Sequence, residues 1–162
     1  MEISFSMAGE PRGKGRPRVD TRAGFPRVHT DDKTIKYERS VSAVTRAAMA
    51  GRPPLIGPIA LALRFRMPIP ASATKRAKAA MASGETPHIS KCDLDNMVKA
   101  VLDGMAAEVI PANKRKGTPK RREPIAFVDD CQIVRLVATK VYSEKPGVDV
   151  LIEAFAPQGG GE

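Results

Sequence analysis

The sequence predicts an α+β fold: a single domain over 1-156, a mixed β-sheet of about four strands with two main helices packed on it, and a tail over 157-162. Three observations carry this. Apolar and polar residues alternate with the period of a strand near the start, in the middle and towards the end of the chain. One segment, 94 to 105, carries its apolar residues at helical spacing instead. Breaks rich in Gly and Pro separate these runs, and no internal repeat links them.

The first strand is read from Ile3, Phe5 and Met7 alternating with Glu2, Ser4 and Ser6. It cannot continue into Gly9-Glu10-Pro11-Arg12-Gly13-Lys14-Gly15-Arg16-Pro17-Arg18, where Gly and Pro recur too often. That stretch is a basic loop. Its glycines allow close backbone approach, so Arg12, Lys14, Arg16 and Arg18 could lie along a phosphodiester chain, and a solvated connection is the competing reading.

Between Asp31 and Ala50 the residues Ile35, Val41, Val44, Ala47 and Ala48 recur at helical spacing, with Thr30-Asp31-Asp32 as its N-cap region and Gly51-Arg52-Pro53-Pro54 as its stop. From 59 to 67, Ile59, Leu61, Leu63, Phe65 and Met67 form one face of a strand and Arg64 and Arg66 project from the other, until Pro68 and Pro70 end it. Residues 71 to 83 read as a short basic surface helix.

The best-patterned segment follows. Leu94, Met97, Val98, Val101, Leu102 and Met105 fall at i, i+3, i+4, i+7, i+8 and i+11, an amphipathic helix whose polar side carries Asp95, Lys99 and Asp103 at four-residue steps. After Met105 the chain is read as irregular through Pro111, and then comes a run with no acidic residue before Glu123. Its Lys114, Arg115, Lys116, Lys120, Arg121 and Arg122 are expected to contact DNA, against a flexible solvated loop as the alternative. Two strands close the domain, Gln132 to Tyr142 and Val148 to Phe155, joined by the turn signal Glu144-Lys145-Pro146-Gly147.

Composition narrows the function. The formal net charge is +9 and the pI near 9.9, the electrostatic footprint of a partner of nucleic acid or another polyanion, although a solubilising positive surface has the same signature. Aromatic residues are only 4% of the chain and Trp is absent, so the core rests on Val, Ile, Leu, Met and Ala. A core so modest favours further burial through oligomerisation. Cys92 and Cys131 are too few for a disulfide framework and too far apart for a CxxC motif, which predicts reduced thiols and a cytoplasmic protein. No apolar run is long enough to span a bilayer, so no membrane partner is expected.

Within this basic chain, carboxylates concentrate in two places: Asp93-Leu94-Asp95-Asn96 with Lys99, and Asp129-Asp130 immediately before Cys131-Gln132-Ile133. A divalent metal beside a bound phosphate needs hard oxygen ligands, and Mg²⁺ takes a few carboxylates and leaves its other positions to water and phosphate. Asp93 and Asp95 flank a helix start, whose dipole favours their ionised form. Asp at a helix start is also an ordinary cap, and Asp95 with Lys99 an ordinary i,i+4 pair. The second cluster tips the balance, since a strand end set beside the helix start would gather three or more carboxylates that repel without a cation. Lys99 would then stand where an ammonium offsets phosphate charge. Cys92 and Cys131, each adjoining a cluster, are expected close together as small packing residues. His29 and His88 are read as surface or loop residues.

Lys91-Cys92-Asp93-Leu94-Asp95-Asn96-Met97-Val98-Lys99 through Asp103-Gly104-Met105, followed by Asp129-Asp130-Cys131-Gln132-Ile133, resembles the RusA family of Holliday junction resolvases, whose pattern is roughly KPDxDNLxKxxLDxL and then DDxQI. The basic opening from Pro11 to Arg18 is similar too. The resemblance implies a small homodimer that binds branched DNA, four-way junctions above all, and cuts two strands symmetrically with Mg²⁺ (or Mn²⁺) in recombination and repair. It implies Asp93, Asp95 and Asp130 as metal ligands and, with Lys99, as the catalytic set, with Asp129 as the neighbouring acid; Asp103, one turn beyond Lys99, and Asn96 are candidates for the surrounding shell, and Asp103 is otherwise a merely exposed residue. Cys92 replaces the usual proline, and the stretch from Ala106 to Ile125 is longer and more basic than the pattern. A broader flap or single-strand nuclease, or a basic nucleic-acid-binding module without catalysis, remain the alternatives.

Overall fold

A computed structural model describes residues 2–15, 18–20, 27–29, 31–110 and 121–156. In chain order its elements are β1 (Glu2–Ala8), β2 (Arg18–Asp20), β3 (Arg27–His29), α1 (Asp32–Met49), β4 (Ile59–Pro68), α2 (Lys75–Ser83), α3 (Leu94–Ala106), β5 (Ala107–Ile110), β6 (Arg121–Pro124), β7 (Ile133–Ser143) and β8 (Gly147–Ala154). A single 3₁₀ turn, Asp130–Gln132, leads into β7. The fold is α+β, as the alternation and the helical phase predict.

Four strands form the main sheet in the order β1-β8-β4-β7. β8 runs antiparallel to both neighbours, whereas β4 and β7 are parallel, so the sheet is mixed. β4 therefore lies between β7 and β8, although a short turn joins those two in sequence. Period-two alternation gives the sheet an apolar face: Ile3 pairs with Ile152, Leu61 with the same Ile152, and Phe65 with Val148. All of these are buried.

Helices α1 and α3 cover that face. α3 buries Met97, Val98, Val101 and Met105, the stripe its spacing predicts. Against it α1 sets Val41, and the two helices approach so closely that a Cβ on Gly104 would stand 2.6 Å from Val41 Cβ. Ser42 Oγ seals the crossing by donating to the Gly104 carbonyl at 2.7 Å. α2, with no buried residue, is a surface helix as expected. No helix among the described residues is long and apolar enough to cross a membrane.

One expectation is overturned here. The chain after Met105 is not irregular as far as Ile110: β5 pairs antiparallel with β6, Ala107 opposite Pro124 and Ile110 opposite Arg121. Ala107, at the helix C-cap, already has extended backbone angles that the β-formers Val109 and Ile110 continue, and just after β6 the Ile125 and Ala126 N–H groups donate to the Ala106 and Met105 carbonyls that end α3, both at 3.0 Å. Arg16, Lys114, Arg115, Lys116, Lys120 and the predicted tail lie outside the described residues, and for Arg18, Arg121 and His29 only the backbone is described.

Candidate active site

The N-terminal turn of α3 carries the first acidic cluster. Asp93 occupies the N-cap position with φ −70° and ψ 136°, yet its side chain makes no capping hydrogen bond. Among the described residues its carboxylate accepts only a long 3.4 Å bond from Asn96 Nδ2. Asp93, Asp95 and Lys99 are exposed. The capping alternative therefore does not describe Asp93, which leaves an open carboxylate at the positive end of the helix dipole, beside a second one.

The basic loop after β1 lies on the same helix. Lys14 N–H donates to the Asn96 carbonyl at 2.9 Å, and Gly13 sits so near that a Cβ there would be 3.2 Å from Asn96 Cβ. The Lys14 ammonium is bound by Asp103 and stands 3.9 Å from Glu38. Sequence reasoning assigned Lys14 to DNA; in the fold two carboxylates engage it, while Arg12 is exposed. Burial pushes the Glu38 carboxyl above its ordinary range; Lys14 opposes that shift and Asp103 adds to it.

The second cluster is built on the turn before β7. Asp129 accepts from Cys131 N–H at 2.9 Å, and this bond above all holds its carboxyl below the usual range. Gln132 fixes the turn from the other side: its Oε1 accepts from Val128 N–H and Asp129 N–H at 2.8 and 3.0 Å, and its Nε2 donates to the Leu55 and Gly57 carbonyls, both at 3.0 Å. Asp129 is thus a cap, with Asp130 exposed beside it. Sequence reasoning quoted Gln132 within the second motif but missed its role, although an Asp followed three residues later by Gln is the signature of a capping box.

Asp129 and Asp130 line a cavity of about 320 Å³ together with Leu102, Asp103, Ala106 and Arg122. These belong to the C-terminal half of α3 and to β6. Asp93 precedes Asp103 by ten residues, a rise of about 15 Å along the helix. Asp93 and Asp95 thus stand at one end of α3 and Asp130 at the other, with Lys99 between them. Among the described residues no three His, Cys, Asp or Glu side chains form a group able to hold one metal ion.

The separation follows from direction. The Cys92 carbonyl lies against Lys140 on β7, while Cys131 lies where that strand begins. Eight residues of extended chain, from Ile133 to Lys140, span about 25 Å. Cys92 and Cys131 are consequently far apart, contrary to the expectation that they meet, and both are free thiols. His88 lies in the loop between α2 and α3, as read, but it is not a surface residue. It is 9% exposed, its ring packs on Tyr142 with centroids 4.5 Å apart, and burial, then the Lys140 charge, lowers its pKa.

The donors suit a hard divalent cation. Mg²⁺ commonly takes one or two protein carboxylates and completes its octahedron with water and substrate phosphate, a set that Asp93 and Asp95 can begin. Asp130 does not join them within one chain.

The endodeoxyribonuclease RusA family matches residues 8–115. The chain is also 30% identical, over 153 residues, to the Uncharacterized protein YqaN of Bacillus subtilis (strain 168), an alignment that spans 93% of this chain and 94% of the relative.

Proposed function

The chain belongs to the endodeoxyribonuclease RusA family, and from that membership we propose a metal-dependent endodeoxyribonuclease that hydrolyses phosphodiester bonds in branched DNA and resolves four-way junctions. The observation that supports this most directly is the pair of open carboxylates at the start of α3, with Asp93 in the cap position but not capping.

In this reading Asp93 and Asp95 hold the metal and Asp130 completes the set. Bound Mg²⁺ or Mn²⁺ supplies Lewis acidity towards the phosphate and lowers the pKa of a coordinated water. The protein's own part is to position and to neutralise. Lys99, one turn into α3, offers an ammonium to the charge that grows on the phosphate and the departing 3′-oxygen. Arg12 and Arg122, both exposed, meet flanking phosphates.

A homodimer belongs to the same reading, because symmetric cutting of two strands needs two sites. β7 offers a surface for it: an edge strand of the main sheet, with Val134 55%, Leu136 44% and Val137 53% exposed. A second copy is also the source from which an Asp130 carboxylate can reach the Asp93–Asp95 pair.

The test is cleavage of a synthetic four-way junction, a flap and a linear duplex, each with Mg²⁺ or EDTA, by the wild type and by Asp93→Asn. Preferred cutting of the junction, lost in EDTA and in the variant, is expected. Equal cutting of all three substrates removes junction selectivity and leaves the nuclease. Binding without cutting under any divalent ion replaces the enzyme with a binding module.

A further inference from the structure

Two side chains of β7 fasten the segment that delivers Asp93 to α3. Lys140 donates from Nζ to the Ser90 carbonyl at 3.1 Å and to the Cys92 carbonyl at 2.9 Å. Two residues further along the strand, Tyr142 packs on His88. Strand side chains alternate, so Lys140 and Tyr142 share a face, and their register opposite Phe65 and Met67 makes it the face that the helices cover.

Between the two anchored carbonyls the backbone is strained. Cys92 has φ +142°, a conformation that L side chains rarely adopt and that persists only where the surroundings impose it. Asp93 is the next residue. Its side chain makes no cap bond and accepts a long bond from Asn96, so the peptide before it, the one whose oxygen Lys140 holds, places the Cα–Cβ bond from which the carboxylate projects. The pairing also suits the charge: carbonyl dipoles turned towards a half-buried ammonium replace water it has lost.

The geometry points to Lys140 as a positioning residue of the active site, which holds the Ser90 and Cys92 carbonyls and thereby aims Asp93 at the metal without touching substrate. Its consequence for cleavage rests on the nuclease reading; its consequence for the 90–93 backbone does not.

The experiment compares Lys140→Met and Lys140→Arg with the wild type in three measurements: amide hydrogen exchange over 88–96 in metal-free protein, Mn²⁺ affinity, and junction cleavage resolved into kcat and KM. In Lys140→Met the 90–93 amides are expected to exchange about tenfold faster while β4 keeps its protection. Mn²⁺ affinity and kcat should each fall by about tenfold or more with KM and binding in EDTA unchanged, and Lys140→Arg, which retains donors, should recover most of both. Unchanged exchange at 90–93 in Lys140→Met overturns the inference, and so do wild-type kcat and Mn²⁺ affinity. If Lys140→Met does not fold, Lys140→Gln, too short to reach both carbonyls, is read by the same outcomes. Should the wild type itself neither bind Mn²⁺ nor cut, the nuclease reading fails and the exchange result alone decides the role of Lys140.

Discussion

Lys14 and Asp103 form an ion pair that ties the loop after β1 to the polar side of α3, so a lysine from the most basic stretch near the N-terminus is turned inward. Its side chain is 29% exposed and that of Asp103 36%. Both remain partly solvated, which caps the worth of the pair at about 1 kcal/mol. A double-mutant cycle of Lys14→Ala and Asp103→Ala in urea unfolding is expected to return a coupling below that figure. A coupling well above it would mean that the pair is effectively buried. Because Lys14 lowers the Glu38 pKa, its removal should also raise that pKa further, which a carboxyl titration by NMR can follow.

At the crossing of α1 and α3 a glycine is required for space. Alanine inside a helix ordinarily stabilises relative to glycine by roughly 1 kcal/mol. At Gly104 the added Cβ would meet Val41 Cβ at 2.6 Å and the Glu38 carbonyl oxygen at 2.8 Å. One of these is backbone and cannot swing aside. Overpacking of this kind costs about 1–3 kcal/mol and reverses the sign of the helix preference. Gly104→Ala should therefore lower the urea midpoint, and a variant more stable than the wild type would show that the helices can part at no cost.

What could be read from the chain and what could not divide along one physical line. The stripe from Leu94 to Met105 and the alternation from Ile59 to Met67 are local periodicities, and both reappear as buried faces. The encounter of Asp93 with Asp130 is a matter of direction: α3 runs so that Asp93 lies near Lys140, late in β7, whereas Asp130 precedes that strand. No pattern along the sequence encodes this. The burial of His88 and the inward turn of Lys14 are of the same kind, since each depends on a partner, Tyr142 or Asp103, more than fifty residues away. The pairing of β5 with β6 was hidden by composition, because the charge run between them dominates the reading of the whole stretch.

His88 gives stability a dependence on pH. Its folded pKa lies below the ordinary 6.5, first because it is buried and second because Lys140 faces it. On acidification the unfolded chain takes up this proton before the folded one does. The contribution is therefore complete above pH 6.5 and is lost as pH falls below it. Glu38, whose pKa is raised, acts in the opposite sense at lower pH, so the comparison that isolates the histidine is between variants. His88→Phe keeps the ring on Tyr142 and removes the proton site. Thermal midpoints between pH 7.5 and 5.5, scanned in steps of about half a unit around the ordinary histidine range, should drop less in His88→Phe than in the wild type. Parallel curves would mean that His88 takes its proton equally well folded and unfolded.

Gln132 holds the acidic doublet in place with four hydrogen bonds, and no shorter or charged side chain can reproduce them. Its amide must donate to Leu55 and Gly57 and accept from Val128 and Asp129 at the same time. Glutamate can accept but cannot donate, so Gln132→Glu would aim a carboxylate at two carbonyl oxygens. Gln132→Leu would leave all four backbone groups without this partner. A buried group left unpaired costs about 1–3 kcal/mol, reduced here because the site is only partly buried. Both variants should lose stability in urea, Gln132→Glu the more at neutral pH, with part of its loss recovered on acidification as the carboxyl gains a proton and can donate again. Since the same amide bonds Asp129 N–H, hydrogen exchange at residues 128–132 should quicken in both. If instead exchange there is unchanged and only global stability falls, the turn is held by the Asp129 cap alone, and Gln132 serves to join it to the chain before β4.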